Sequence, residues 1–127
     1  MAPLKSILVV DDDPAQAQEM AEAISAGGYA VRTASTGDEG LAALLSAPFA
    51  LAIVDCHLPD RSGLLVMRLA LGAGGSVPFV VVTGESELPD GAAGLSSAVT
   101  FWRKPVDMRA LVDLVASLIG TARKPAA

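Results

Sequence analysis

The sequence predicts an α/β fold with a parallel sheet, and three observations carry that prediction. Hydrophobic residues make up 52% of the chain but aromatic residues only 4%, a balance suited to aliphatic strands covered by helices with small faces. Short β-rich runs alternate with helical patterns from end to end, which implies parallel strands joined by right-handed crossovers. One run, "FALAIVD" at 49–55, is almost continuously apolar, as a central parallel strand buried on both faces must be.

The elements follow in order. "SILVV" at 6–10 is the first strand; Asp13 then caps a helix with Pro14 in its first turn and a face of Ala17, Met20, Ala21 and Ile24. Gly27 and Gly28 stop that helix, and "YAVRTA" at 29–34 is the second strand. Thr36 and Glu39 form a capping-box pattern ahead of Leu41, Leu44 and Leu45, and Pro48 ends the second helix. After the third strand at 49–55, Leu64 to Leu71 is a helix, "PFVVVT" at 78–83 a fourth strand and "AVTFW" at 98–102 a fifth. Asp107 caps a last helix whose stripe is Leu111, Leu114, Val115 and Leu118. The whole reads as a (βα)₅ chain.

A length of 127 residues is about one domain and suffices to bury a core without staples. Nine basic residues against 14 acidic give a net charge of −5, so there is no electrostatic footprint for nucleic acid or an anionic membrane. The single cysteine, Cys56, excludes an internal disulfide framework, and no Cys/His cluster is present to hold zinc. A reducing cytoplasm fits. The stretch from Leu41 to Val54, interrupted by Ser46 and Pro48, falls short of the roughly 18 residues a membrane span needs. Nothing before Asp11 resembles a signal peptide.

In a parallel sheet of this kind the strand C-termini share one edge, where ligands bind. The polar residues placed there are Asp11 and Asp12 after the first strand, Asp55 after the third, Thr83 after the fourth and Lys104 just past the fifth. Three carboxylates held close in a partly desolvated place repel one another, and a hard divalent cation relieves that repulsion. Mg²⁺ is the first choice, with Mn²⁺ as the alternative. It takes oxygen ligands and is commonly shared between carboxylates and a phosphoryl group. The Thr83 hydroxyl and the compact Lys104 ammonium suit phosphoryl oxygens. Asp55 is then the carboxylate nucleophile. Bland readings compete: Asp13 is a cap alone, Cys56 is a small buried hydrophobe, and Phe101 by itself reads as core.

These residues resemble the receiver domain of two-component response regulators over nearly the whole chain. "ILVVDDDP" is similar to the acidic pair of that family, "LAIVDCHLPDRSG" to its phosphoacceptor segment, and "VVVTG" and "FWRKP" to its switch threonine and Lys-Pro pair. The resemblance implies sheet order 2-1-3-4-5 and a flavodoxin-like, doubly wound sheet. It places metal ligands at Asp11, Asp12 and Asp55 with the backbone carbonyl of His57, phosphate on Asp55, and switch positions at Thr83 and Phe101. Phe101 lacks a hydroxyl to favour a solvated rotamer, so it is expected to lie substantially inward before phosphorylation. His57 and Glu85, two residues beyond Asp55 and Thr83, are the candidates for tuning phosphoryl lifetime. A neutral His57 could hydrogen-bond an attacking water and a protonated one could pair with the phosphoryl group.

The implied activity is signalling: phosphoryl transfer from a sensor histidine kinase or a histidine phosphotransfer protein to Asp55, switching the binding of a downstream protein. Such a chain catalyses only its own phosphorylation and dephosphorylation. Residues 1–127 read as one receiver domain with a core at about 5–121, either stand-alone or part of a larger protein, since "TARKPAA" leaves no room for an output domain. The pattern departs from the family between Thr83 and Lys104, where Pro89, Gly91 and Gly94 argue against a well-formed fourth helix and for mobility over 86–96. Two rivals remain. A haloacid-dehalogenase-like phosphatase would use the Asp-x-Asp spacing of Asp11 and Asp13, but offers no reason for Asp55; a binding module with a vestigial site would keep the fold without the chemistry. Flavin binding is poor, because an acidic first loop repels the flavin phosphate.

Overall fold

The computed structural model of the chain describes residues 4–73, 77–84 and 99–120. Its five strands, β1 (Ser6–Val10), β2 (Ala30–Ala34), β3 (Leu51–Asp55), β4 (Phe79–Thr83) and β5 (Val99–Arg103), form one parallel sheet in the order β2-β1-β3-β4-β5. The described helices are α1 (Pro14–Ala26), α2 (Gly37–Ser46), α3 (Gly63–Gly72) and α4 (Met108–Ile119). The expected deficiency of a helix between β4 and β5, the expected mobility of 86–96 and Glu85 all lie outside the described residues.

Alternation along the strands divides the core in two. Ile7, Val9, Leu51, Ile53, Val80 and Val82 point to the side covered by α1 and α4, where Met20, Ile24, Leu111 and Val115 meet them. Leu8, Val10, Ala52, Val54 and Val81 point to the other side, against Ala43 of α2 and Leu64, Met67 and Ala70 of α3. Strands β3 and β4 are buried at every residue, as expected for β3 from its unbroken apolar run. β2 is an edge strand, with Arg32 and Thr33 exposed.

The helix starts are built locally. Asp13 accepts from the N–H groups of Ala15 (3.0 Å) and Gln16 (3.4 Å), and Asp107 accepts from Arg109 N–H (3.1 Å). Thr36 Oγ1 accepts from Glu39 N–H (3.1 Å), but Glu39 returns one residue further back, to Ser35 N–H at 3.3 Å. Ser62, not singled out in the sequence, caps α3 through Leu64 N–H (3.1 Å).

Two apolar positions assigned to buried stripes are exposed instead. Leu45 is 59% exposed and Leu118 39%. α2 turns Gly37, Gly40 and Ala43 inward, and these small residues let it approach so closely that a Cβ on Gly40 would lie 2.8 Å from Val10 Cγ2. Leu45 is thereby carried round to solvent. In α4, Met108, Val112, Leu114 and Ile119 pack beside Leu111 and Val115, while Leu118, in the last turn, lies outside.

Candidate phosphoacceptor and metal site

The site is assembled at the C-terminal edge of β1, β3, β4 and β5. Asp11 follows β1 directly, and its N–H donates to Ala34 O at 3.0 Å, extending the β1–β2 pairing by one step. That step buries the residue to 2% exposure. Its Oδ1 accepts from Asp13 N–H at 2.9 Å. Asp12, the next residue, is exposed. Thus three consecutive aspartates divide into a buried carboxylate, an accessible one and a helix cap.

Asp55 is the last residue of β3, and Cys56 N–H continues the pairing with Val82 O at 2.8 Å. The carboxylate is 5% exposed. Oδ1 accepts from His57 N–H at 3.0 Å, and Oδ2 lies 3.2 Å from Lys104 Nζ. Thr83 ends β4, 3% exposed, and its carbonyl accepts from Lys104 N–H at 2.8 Å. This bond aligns the residue after β5 so that its side chain reaches across β4 to β3. The peptide between Lys104 and Pro105 is cis.

Asp11, Asp12 and Asp55 each offer a carboxylate oxygen within 4.8 Å of the others, and among the described residues they are the cluster able to hold a metal ion. The electrostatics agree with the donor set. Burial pushes the Asp11 carboxyl above the ordinary carboxylate value; the Asp13 N–H opposes this, the negative charges of Asp55 and Asp12 add to it, and Lys104 partly offsets it. Among the described residues one ammonium, that of Lys104, faces three carboxylates. An all-oxygen, net-negative and partly accessible set of this kind fits a hard divalent cation.

The loop from Cys56 to Gly63 closes on itself. Gly63 N–H donates to Cys56 O at 2.9 Å, and His57 pairs with Ser62 in an isolated antiparallel bridge. A Cβ on Gly63 would overlap the Asp55 carbonyl oxygen, so only glycine allows this approach. His57 itself is exposed. Phe101 stands in register with Val81 and is half-buried against the core on the α2–α3 side; Trp102 packs on the opposite side. Sequence reasoning missed Asp60, whose carboxylate accepts from the N–H groups of Gly37 (2.7 Å) and Asp38 (2.9 Å) at the start of α2. No local pattern signals a contact to residues more than 20 positions earlier.

Comparison with known proteins supplies the remaining finding. The family model of the response regulator receiver domain matches residues 7–116. The chain is 33% identical over 120 residues to the acid tolerance regulatory protein ActR of Rhizobium meliloti (strain 1021), covering 94% of this chain and 60% of that protein. It therefore spans less than two thirds of that relative. Among solved structures, the CheY-like receiver domain protein of Methanospirillum hungatei JF-1 is 32% identical with a TM-score of 0.84, over 91% of this chain and 94% of that one. The response regulator TrrA of Thermotoga maritima, in complex with Mg²⁺-BeF, is 30% identical with a TM-score of 0.78, over 91% and 99%.

Proposed function

The chain belongs to the response regulator receiver domain family, a phosphoacceptor module of two-component signalling, and from that premise we propose that Asp55 is its phosphoacceptor and that Asp11, Asp12 and Asp55, with the carbonyl of His57, bind Mg²⁺ or Mn²⁺. The observation that carries the reading is the position of Asp55: a nearly buried carboxylate at the end of the central strand, flanked by two carboxylates and contacted by Lys104 Nζ at 3.2 Å.

Each residue then has work that follows from its chemistry. A carboxylate oxygen of Asp55 attacks the phosphorus of a phosphohistidine; the new O–P bond forms as the P–N bond breaks, and the bonding pair stays on the departing nitrogen of an imidazole that leaves neutral because its other nitrogen already carries a proton. His57 N–H orients the Asp55 carboxylate through Oδ1. Lys104 and the Thr83 hydroxyl receive the negative oxygens of the transferred group. A bound Mg²⁺ supplies the positive charge that lets an anionic nucleophile meet an anionic phosphoryl group. Phe101, in register with Val81 two residues before Thr83, is the side chain through which a movement of Thr83 is read out. His57 and Glu85 tune the lifetime of the acyl phosphate.

The phosphoryl donor in this reading is a sensor histidine kinase or a histidine phosphotransfer protein in the cytoplasm, and the product state switches binding of a downstream protein, with no direct contact to nucleic acid. No described helix is long and apolar enough to cross a membrane. Residues 1–127 act as one receiver domain. A phosphatase built on Asp11 and Asp13 is disfavoured, because the Asp13 carboxylate already caps α1.

The test is incubation with acetyl phosphate and Mg²⁺ followed by mass measurement. The parent chain should gain one phosphoryl group, with no continuing turnover of a generic phosphomonoester. A chain that binds Mg²⁺ yet gains none would support the vestigial module instead.

A further inference from the structure

We infer that Asp60 is a positioning residue for the metal site, locking the loop that carries the His57 carbonyl to the N-terminus of α2; this rests on the metal reading proposed above. The loop from Cys56 to Gly63 is closed at its base by the Gly63 N–H bond to Cys56 O and by the His57–Ser62 bridge. Those contacts join the two sides of the loop to each other, and Leu58 packs against the core, but none of them bonds the loop to the backbone of α2. Asp60 supplies that tie. Its two carboxylate oxygens accept separate backbone bonds, Oδ1 from Gly37 at 2.7 Å and Oδ2 from Asp38 at 2.9 Å.

The anchor point is itself closely packed. α2 is held at Val10 by Gly40, and a Cβ on Gly37 would meet Arg61 Cγ at 2.5 Å and Val66 Cγ2 at 3.0 Å. Loop tip, α2 and α3 are thus packed at one place. Arg61 adds an ion pair to Asp38 at 2.7 Å, although Asp38 is largely exposed, which makes that pair the weaker tie. The Asp60 carboxyl lies below the ordinary carboxylate value, chiefly because Gly37 N–H donates to it. The charged acceptor also meets the positive end of the α2 dipole.

The consequence is specific to the loop. A carbonyl ligand contributes to metal affinity only if the backbone is ordered before the ion arrives, since ordering it afterwards subtracts from binding. Losing a supporting contact of this kind lowers metal affinity by about tenfold or more. Thr36 caps the same helix through its own bond from Glu39 N–H, so it separates the two roles of the α2 N-terminus.

Mg²⁺ titration by calorimetry of the parent, Asp60→Ala, Asp60→Asn and Thr36→Ala tests this, with amide hydrogen exchange of residues 57–62 measured in the absence of metal. Asp60→Ala should bind Mg²⁺ about tenfold more weakly and exchange faster at 57–62, Asp60→Asn should fall between it and the parent, and Thr36→Ala should melt earlier with parental Mg²⁺ affinity. If Asp60→Ala does not fold, Asp60→Asn carries the comparison. Parental Mg²⁺ affinity in the Asp60 variants overturns the inference while leaving the metal reading intact. A parent that binds no Mg²⁺ overturns both.

Discussion

Lys104 Nζ and Asp55 Oδ2 are 3.2 Å apart, joining the residue after the edge strand β5 to the end of the central strand β3. Asp55 is 5% exposed and the lysine side chain 33%, so the lysine is the partly solvated partner of a buried carboxylate. A charge placed this way compensates the carboxylate cluster.

Asp55→Asn should accept no phosphoryl group from acetyl phosphate under conditions that modify the parent. Asparagine preserves the volume and an oxygen for the His57 N–H bond, so thermal unfolding should remain cooperative. Intact-mass measurement checks this, and modification of the variant at parental yield would place the acceptor elsewhere.

Lys104→Ala separates metal binding from phosphoryl transfer. Removing the ammonium that, among the described residues, faces the three carboxylates leaves the cluster more negative, so Mg²⁺ affinity should hold or rise. The rate of phosphorylation should fall by about a hundredfold, the usual effect of removing a charge-stabilising donor. The ion pair is partly solvated, so the loss in stability should be only ~1 kcal/mol. Calorimetric Mg²⁺ titration and the rate of mass gain decide the matter; a parallel loss of both would make Lys104 a structural residue.

Asp11 sets a pH dependence in metal-free protein. Its folded-state carboxyl is raised above 3.8, first by burial, so the native state holds this proton more tightly than the unfolded chain. The associated stability is complete below the unfolded value and is lost as pH rises through the raised folded value. At neutral pH in EDTA, Asp11→Asn should therefore melt at a higher temperature than the parent, and the difference should vanish on acidification below 3.8. Saturating Mg²⁺ should raise the melting temperature of the parent more than that of the variant. A variant less stable than the parent at neutral pH in EDTA would contradict the assignment.

Gly40→Ala tests the close approach of α2. Helix propensity favours alanine by about 1 kcal/mol, whereas a Cβ 2.8 Å and 3.1 Å from the two Val10 methyls imposes overpacking of about 1–3 kcal/mol. Overpacking should win, with a net loss of ~1 kcal/mol. Denaturant unfolding of Gly40→Ala, Val10→Ala and the double variant should show the second substitution relieving the first.

Much of this molecule was legible because the signals are short-range. The unbroken apolar run of Leu51 to Val54 is read locally as a strand covered on both faces, and it is. Asp13 and Asp107 announce helix starts because a cap bonds residues two or three positions ahead. The acidic edge was equally visible: once the strands are parallel, the residues that follow them must gather at one side. The exposure of Leu45 and Leu118 was not visible, because periodicity defines an apolar face but not how each residue on it meets the rest of the core. Glycines on the opposite side of α2 settled that for Leu45.

The alternation of strands and helices and the identity of the residues at the carboxyl edge follow from backbone sterics and hydrophobic period, which act over a few residues and leave the chain little choice. The division of labour within the edge does not. Whether Asp11 is buried and Asp12 exposed, how near Lys104 stands to Asp55, and that Asp60 reaches Gly37 and Asp38 depend on contacts between segments tens of residues apart. Close packing sets those contacts to a fraction of an ångström, and no pattern within a single segment encodes them.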